Sequence, residues 1–177
     1  MSFLRLPAVI GLSALSAAWL PSQAAAFTLE DYFEGRTYAV GKFTAINGTS
    51  RSFDVDLTGD WDGTTLRLRE DFVYDDGERD TKTWVFTKTG PATYTGTRED
   101  VVGQTTVRLS GNNANFSYRV DLAPGDDVNI VRFFDELTLE DDDTVRNTAL
   151  VTKFGLPVAR VTVNFARTRE AAAALRP

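Results

Sequence analysis

The sequence predicts an all-β protein: an antiparallel up-and-down meander of about ten strands closed into a barrel, with a short N-terminal helical turn. Three observations carry this. Apolar and polar residues alternate with a period of two along most of the chain from Thr37 to Phe165. Turn signals punctuate the alternation at Asn47-Gly48, Asp62-Gly63, Asp76-Gly77, Gly90-Pro91, Gly111-Asn112, Pro124-Gly125, Asp141 to Asp143 and Gly155. No amphipathic helix lies between the strands, so each strand must pair with its chain neighbour. Closure then removes the two exposed edges that an open meander would keep.

The elements follow in order. Residues 1–26 read as a secretory signal peptide: Arg5 supplies the positive start, Ala8 to Leu20 the apolar run, and Ala24-Ala25-Ala26 a cleavage site before Phe27. The run is short for a membrane span. Leu29 to Gly35 looks like one helical turn ended by glycine. Strands are expected near 36–46, 51–59, 64–74, 80–88, 92–99, 103–110, 114–122, 127–138, 144–153 and 157–167. They form a single barrel domain over 27–167. The tail, 168–177, is alanine-rich from Arg169 to Leu175 and is expected to form a frayed helix or to stay disordered. Asp60-x-Asp62-Gly63 resembles the start of a calcium loop, but Thr58 and Arg69 stand where carboxylates belong, so a hairpin turn is expected.

Composition narrows the chemistry. The chain has no cysteine and no histidine. Disulfides, thiolate nucleophiles, zinc sites of the Cys/His type and Ser-His-Asp triads are therefore excluded. No metal site and no cofactor is expected. Losing the signal removes only Arg5 among the charges and leaves 18 basic against 25 acidic residues, a net charge of −7. That balance argues against nucleic acid and against an anionic membrane as partners. The expectation is an exported, periplasmic, monomeric protein that is not integral to the membrane.

The residues of interest are polar groups on faces that should point inward. In Leu66-Arg67-Leu68-Arg69-Glu70-Asp71-Phe72-Val73-Tyr74, a period of two places Glu70 among Leu66, Leu68, Phe72 and Tyr74. A carboxylate in that company must be paired, neutralised or put to use. The same alternation groups Tyr94, Gly96, Arg98 and Asp100, then Asn112, Ala114, Phe116, Tyr118, Val120 and Leu122. It also groups Phe133, Asp135, Leu137 and Leu139, and Val145, Asn147, Ala149, Val151 and Lys153. Glu70, Arg98, Asp100, Asn112, Asn147 and Lys153 are thus expected to line a cavity walled by Trp84, Tyr94, Phe116, Tyr118 and Phe133, a composition that suits a ligand pocket.

The ordered runs Glu70 to Gly77, Lys82-Thr83-Trp84, Tyr94-Thr95-Gly96, Asp100 to Gly103, Gly111-Asn112, Phe133-Phe134-Asp135 and Thr152 to Gly155 resemble a bacterial family catalogued as domain of unknown function 3833. The resemblance spans about residues 28–167. It implies a lipocalin/calycin-like barrel and marks Glu70, Tyr74, Trp84, Asp100, Asn112 and Lys153 as motif positions. It implies no reaction and no ligand. Many relatives look like lipoproteins, whereas this chain has no cysteine to carry a lipid, which favours free periplasmic residence. The Trp common after the family's Phe-Asp-Asp stretch is also replaced, since Glu136 and Leu137 follow Asp135.

Three functions are consistent with this sequence. The leading one is binding or carriage of a small amphiphilic or lipid-derived ligand by Glu70, Tyr74, Trp84, Arg98, Asp100, Asn112, Tyr118, Asn147 and Lys153. Arg98 or Lys153 would pair with a carboxylate head group in that reading. The second is a histidine-free acid/base enzyme of the isomerase, cyclase or hydratase type, with Glu70 or Asp100 moving protons. The third is a structural envelope protein with a buried ion-pair network.

Overall fold

Alternation puts one face of every strand into a common interior, and the chain closes around it. The computed structural model describes residues 27–123 and 129–177. The expected signal segment and the Pro124-Gly125 turn lie outside these residues. The strands are β1 (Gly35–Ala45), β2 (Ser50–Trp61), β3 (Thr65–Tyr74), β4 (Arg79–Gly90), β5 (Thr93–Thr97), β6 (Thr105–Ser110), β7 (Asn113–Asp121), β8 (Ile130–Leu139), β9 (Val145–Lys153) and β10 (Leu156–Ala166). They form a closed antiparallel barrel in which each strand pairs with its chain neighbours. The last strand pairs with the first, from Tyr38 opposite Ala166 to Ala45 opposite Ala159.

The hairpins follow from turn chemistry. Gly63 and Gly77 adopt φ of 94° and 86°, which favours glycine. Asp62 Oδ1 accepts from the backbone N–H groups of Thr64 (2.9 Å) and Thr65 (2.7 Å), so the calcium-like stretch is a hairpin turn. One region departs from expectation. Strands were expected over 92–99 and 103–110, but β5 stops at Thr97 and β6 begins at Thr105. Between them the chain turns: Val101 N–H donates to Arg98 O at 3.0 Å, and Gly103 takes φ of 77°.

The helix α1 (Leu29–Phe33) closes one end of the barrel. Thr28 caps it, its hydroxyl accepting from Asp31 N–H at 3.2 Å. Leu29, Tyr32 and Phe33 are buried in the core. Glu30 bonds Lys88 and accepts from Tyr94 OH at 2.5 Å. Burial pushes this carboxyl's pKa up, but the Lys88 and Tyr94 hydrogen bonds outweigh it and hold it below the usual value. Tyr32 OH donates to Phe165 O at 3.1 Å, and the Arg167 guanidinium lies 4.1 Å from the Tyr32 ring. The helix is thereby tied to both β4 and β10.

The C-terminal tail corrects the sequence expectation. It forms α2 (Arg169–Ala174), capped by Thr168, with Ala172 buried against Val40 and Ala166 on the outer face of the β1–β10 seam. Asn164 donates to Leu175 O at 2.6 Å. Arg169 pairs with Asp56 and Arg176 with Asp54, both at 2.7 Å. A small apolar stripe with a cap is enough to dock so short a helix, although its alanine content gave no strong amphipathic signal.

The tightest helix–barrel contact is at Gly59. A Cβ there would stand 1.9 Å from the backbone oxygen of Phe33. Gly59→Ala should therefore displace α1 and destabilise the protein by about 1–3 kcal/mol. Chemical denaturation checks this; an unchanged midpoint would mean that α1 can move away without loss.

Candidate functional site

The barrel encloses a cavity of about 750 Å³, floored by Leu29 and Phe33 of α1. At the other end Arg51, Tyr74, Glu78, Asp80 and Leu122 form its mouth. Aromatic side chains build much of the wall. Trp84 stacks on Phe86 with centroids 5.0 Å apart and meets Tyr118 edge-on at 5.0 Å. Tyr118 in turn stacks on Phe116 at 5.6 Å and on Phe133 at 5.3 Å. Nearer the mouth, Phe53, Phe72 and Tyr74 pack with centroids 5.6 to 6.0 Å apart. Phe53 with Phe72 and Tyr74, and Tyr118 with Phe133, meet across paired strands, whereas Trp84 and Phe86 of β4 reach Phe116 and Tyr118 of β7 across the interior.

A polar cluster interrupts this wall at mid-height. Arg98, following β5, lies 4.8 Å from the Trp84 ring and 5.6 Å from the Tyr118 ring. Its guanidinium holds Asp100 in a fork, Nε to Oδ1 at 2.7 Å and Nη2 to Oδ2 at 3.2 Å. Glu70 Oε2 is farther from it, 3.8 Å from Nη1. Lys82 approaches Asp100 at 3.6 Å and Asp80 at 3.1 Å. Asn147 Nδ2 donates to Asp135 Oδ1 at 2.6 Å. Two oxygens in the cluster, Asp135 Oδ2 and Asn147 Oδ1, are buried without a hydrogen-bond partner among the described residues. Such groups carry a desolvation cost that a ligand can relieve.

Electrostatics follow from one guanidinium facing several carboxyls. Burial pushes the pKa of Glu70 up to about 7; Arg98 opposes this, and the charges of Asp135, Asp100 and Glu99 reinforce it. Burial likewise raises Asp135 to about 6, although the hydrogen bond from Asn147, the nearby Tyr118 hydroxyl and the charge of Arg98 pull it down. Burial and the Asp135 charge hold the Tyr118 phenol well above its usual value. The cavity thus contains two carboxyls that change charge near neutral pH.

The structure brings together Glu70, Tyr74, Trp84, Arg98, Asp100, Tyr118 and Asn147 around the cavity. Three residues expected there lie elsewhere. Tyr94 is fully buried at the α1 end, its hydroxyl donating to Glu30, and it does not line the cavity. Asn112 is exposed in the β6–β7 turn, its carbonyl accepting from Leu139 N–H at 2.8 Å near the α1 end. β7 begins at Asn113, so the alternation does not reach back to Asn112. Lys153 keeps the inward parity of β9 but is its last residue, set beside Phe154 at the rim and outside the cavity lining. Of the lining groups left out of the candidate set, two join the polar cluster. Asp135 sits between Phe133 and Leu137 on the inward face of β8, the same pattern that singled out Glu70. Lys82 is opposite Glu70 in the β3–β4 ladder, and alternation with Trp84 and Phe86 would have found it.

The family model described as "Protein of unknown function (DUF3833)" matches residues 7–167. The chain belongs to this family. None of the curated proteins matches it significantly in sequence. Among solved structures it is similar to the S-type phycobiliprotein lyase CPES of Guillardia theta, with a TM-score of 0.56 at 11% identity, over 81% of this chain and 94% of that one. It is also similar to Rv2717c of M. tuberculosis, with a TM-score of 0.56 at 12% identity, over 77% of this chain and 93% of that one. At such identities the likeness concerns the fold, a lipocalin-like barrel. The DUF3833 motif positions divide accordingly: Glu70, Tyr74, Trp84 and Asp100 face the cavity, whereas Asn112 and Lys153 do not.

The raised pKa of Glu70 makes a prediction about stability. The unfolded chain releases this proton near pH 4.5, while the folded chain keeps it to about 7. Between those values the unfolded state binds fewer protons, so stability falls as pH rises, by an amount on the order of 3 kcal/mol for this group. Glu70→Gln keeps the neutral shape and should flatten the decline, so that the variant is the more stable protein at pH 8 but not at pH 5. Urea denaturation at both pH values tests this; a variant less stable at pH 8 would make the Glu70–Arg98 contact a stabilising ion pair.

Proposed function

We propose that this DUF3833 protein is a periplasmic barrel that binds or carries a small amphiphilic, lipid-derived molecule. The observation that carries the reading is a pair of buried, unpartnered oxygens, on Asp135 and Asn147, in an apolar cavity open at one end. The cavity volume of about 750 Å³ falls in the range of small-molecule sites. An aliphatic or aromatic body would lie against Trp84, Phe116, Tyr118 and Phe133, and a polar head would meet the cluster at mid-height.

The geometry revises the head group. A carboxylate head was expected to pair with Arg98 or Lys153. Arg98 already holds Asp100 in a fork, and Lys153 stands outside the cavity. The unpartnered atoms are acceptors, and carboxyls outnumber guanidinium around them. An alcohol or amine head, which donates hydrogen bonds, therefore suits this site better than an anionic one.

A histidine-free acid/base reaction is the second reading, favoured by one observation: Glu70 has its pKa raised to about 7 inside the cavity. Asp100 suits that role less, since Arg98 and Lys82 both engage it. On a substrate identified by screening, Glu70→Gln should then retain binding and lose turnover.

The binding reading is tested by titrating a long-chain alcohol, amine and fatty acid of equal length against the purified protein at pH 7. The alcohol or amine should bind about tenfold more tightly than the acid, a difference worth one good buried hydrogen bond. Asp135→Ala should erase the preference. Equal affinity for the fatty acid would reject the head-group assignment, and failure of all three probes, together with an empty barrel in native mass spectrometry, would reject the carrier.

A further inference from the structure

Every large hydrophobic residue that stands out in solvent, among the described residues, belongs to β1, the β7–β10 strands or the turns beside them: Ile46, Leu122, Phe134, Leu150, Phe154 and Leu156. Three of these are the most informative. Ile46 is 77% exposed in the β1–β2 turn, and Phe154 and Leu156 are 81% and 69% exposed around the β9–β10 turn. Ile46 N–H donates to Val158 O at 3.0 Å, so the two turns stand side by side at the mouth end of the barrel. Phe154 adopts φ of 51° ahead of Gly155 at 80°. A hairpin of that shape favours Asn, Asp or Gly at this position, and a bulky aromatic there is a rarity. The ring packs no core in return, so the fold gives no reason for it.

Cations surround these turns. Lys42 and Arg160 lie behind Ile46 on the outer wall, lining a shallow groove with Leu150. Lys153 lies beside Phe154, its Nζ 5.8 Å from the ring, and Arg132 is exposed on β8. None of these four has an ion-pair partner among the described residues. On its other side the β1–β2 turn borders the acidic β3–β4 turn, whose Asp76 and Glu78 are paired with Arg51 and whose Asp75 accepts from Ser52 N–H; Asp80, Asp100 and Asp121 stand farther around the mouth. On the outer face of β8, Glu136 is set back toward the α1 end, opposite Thr148.

We propose that the paired β1–β2 and β9–β10 turns dock on an anionic lipid surface. Apolar side chains at the tips with cations behind them match the order of a bilayer, which presents phosphates first and hydrocarbon beneath. A net-negative chain that sets four unpaired cations beside its most exposed hydrophobics has local charge suited to an anionic partner. Docking by these turns would set the cavity mouth beside the lipid. This assignment revises the expectation, drawn from net charge alone, that an anionic membrane is no partner.

The test is cosedimentation of the signal-free protein with phosphatidylcholine vesicles, with and without phosphatidylglycerol. Binding should require phosphatidylglycerol and weaken with salt. Phe154→Asp and Leu156→Asp should each reduce partitioning about tenfold, and Lys42→Glu with Arg160→Glu should abolish the lipid preference. All four side chains sit at or near the surface, and circular dichroism should confirm an intact barrel. Phe154→Trp supplies an independent readout, since its emission should shift to the blue with phosphatidylglycerol vesicles and not with phosphatidylcholine alone. Absence of binding, binding indifferent to phosphatidylglycerol, or aspartate variants that bind like wild type would overturn the proposal. So would a wild-type dimer that Phe154→Asp converts to monomer without any vesicle binding, which would make these turns a contact between copies.

Discussion

The structure depends on the ladder between β1 and β10. Every other ladder joins strands that are neighbours in the chain, and a short turn forms each at little entropic cost. The seam alone must bring the two ends of the domain together, so it carries the largest loop-closure cost of the ladders. The remaining elements serve it. α1 spans the barrel end and is tied to β4 through Lys88 and to β10 through Phe165. α2 covers the outside of the seam itself, with Ala172 against Val40 and Ala166. The two helices therefore lock the same closure from the end and from the flank.

Once the ladder is closed, inward parity is imposed on every strand, and polar residues with that parity have no route to water except the mouth. This is why Glu70, Arg98, Asp135 and Asn147 converge although they come from four different strands or turns. Arg98 organises them because its guanidinium lies close to both the Trp84 and Tyr118 rings and turns its nitrogens to Asp100. Its fork is complete with Asp100, so Glu70 at 3.8 Å has only a longer-range attraction to offset its burial. The result is a carboxyl that stays protonated to neutral pH.

Much of this was legible in the sequence, for a physical reason. Turn dipeptides and period-two alternation report backbone geometry directly, and both the strand order and the inward faces follow from them. The parity of Glu70 among Leu68 and Phe72 read correctly as interior. Alternation reports the face a residue occupies but not its height along the barrel. Lys153 has the right parity and still lies at the rim, while Asn112 falls in a turn where parity has no meaning. Asp135 carried the same signal as Glu70. The family pattern drew attention instead to the residues after it. The docking of the tail on the seam was hidden because one buried alanine and a threonine cap leave little trace in hydropathy.

The plug made by α1 has a kinetic consequence. With Leu29 and Phe33 sealing the floor, the interior is a cul-de-sac and not a tunnel. Whatever occupies it must leave by the path it took, in reverse, with the end that went in first coming out last. Entry and exit then share one mouth, with Phe53, Phe72 and Tyr74 along one wall of the approach. By microscopic reversibility, a change that lowers only the barrier at this mouth, leaving the bound state untouched, speeds escape and capture alike. Residence time and uptake rate are coupled by the architecture, and only what waits outside the mouth can set the direction of traffic.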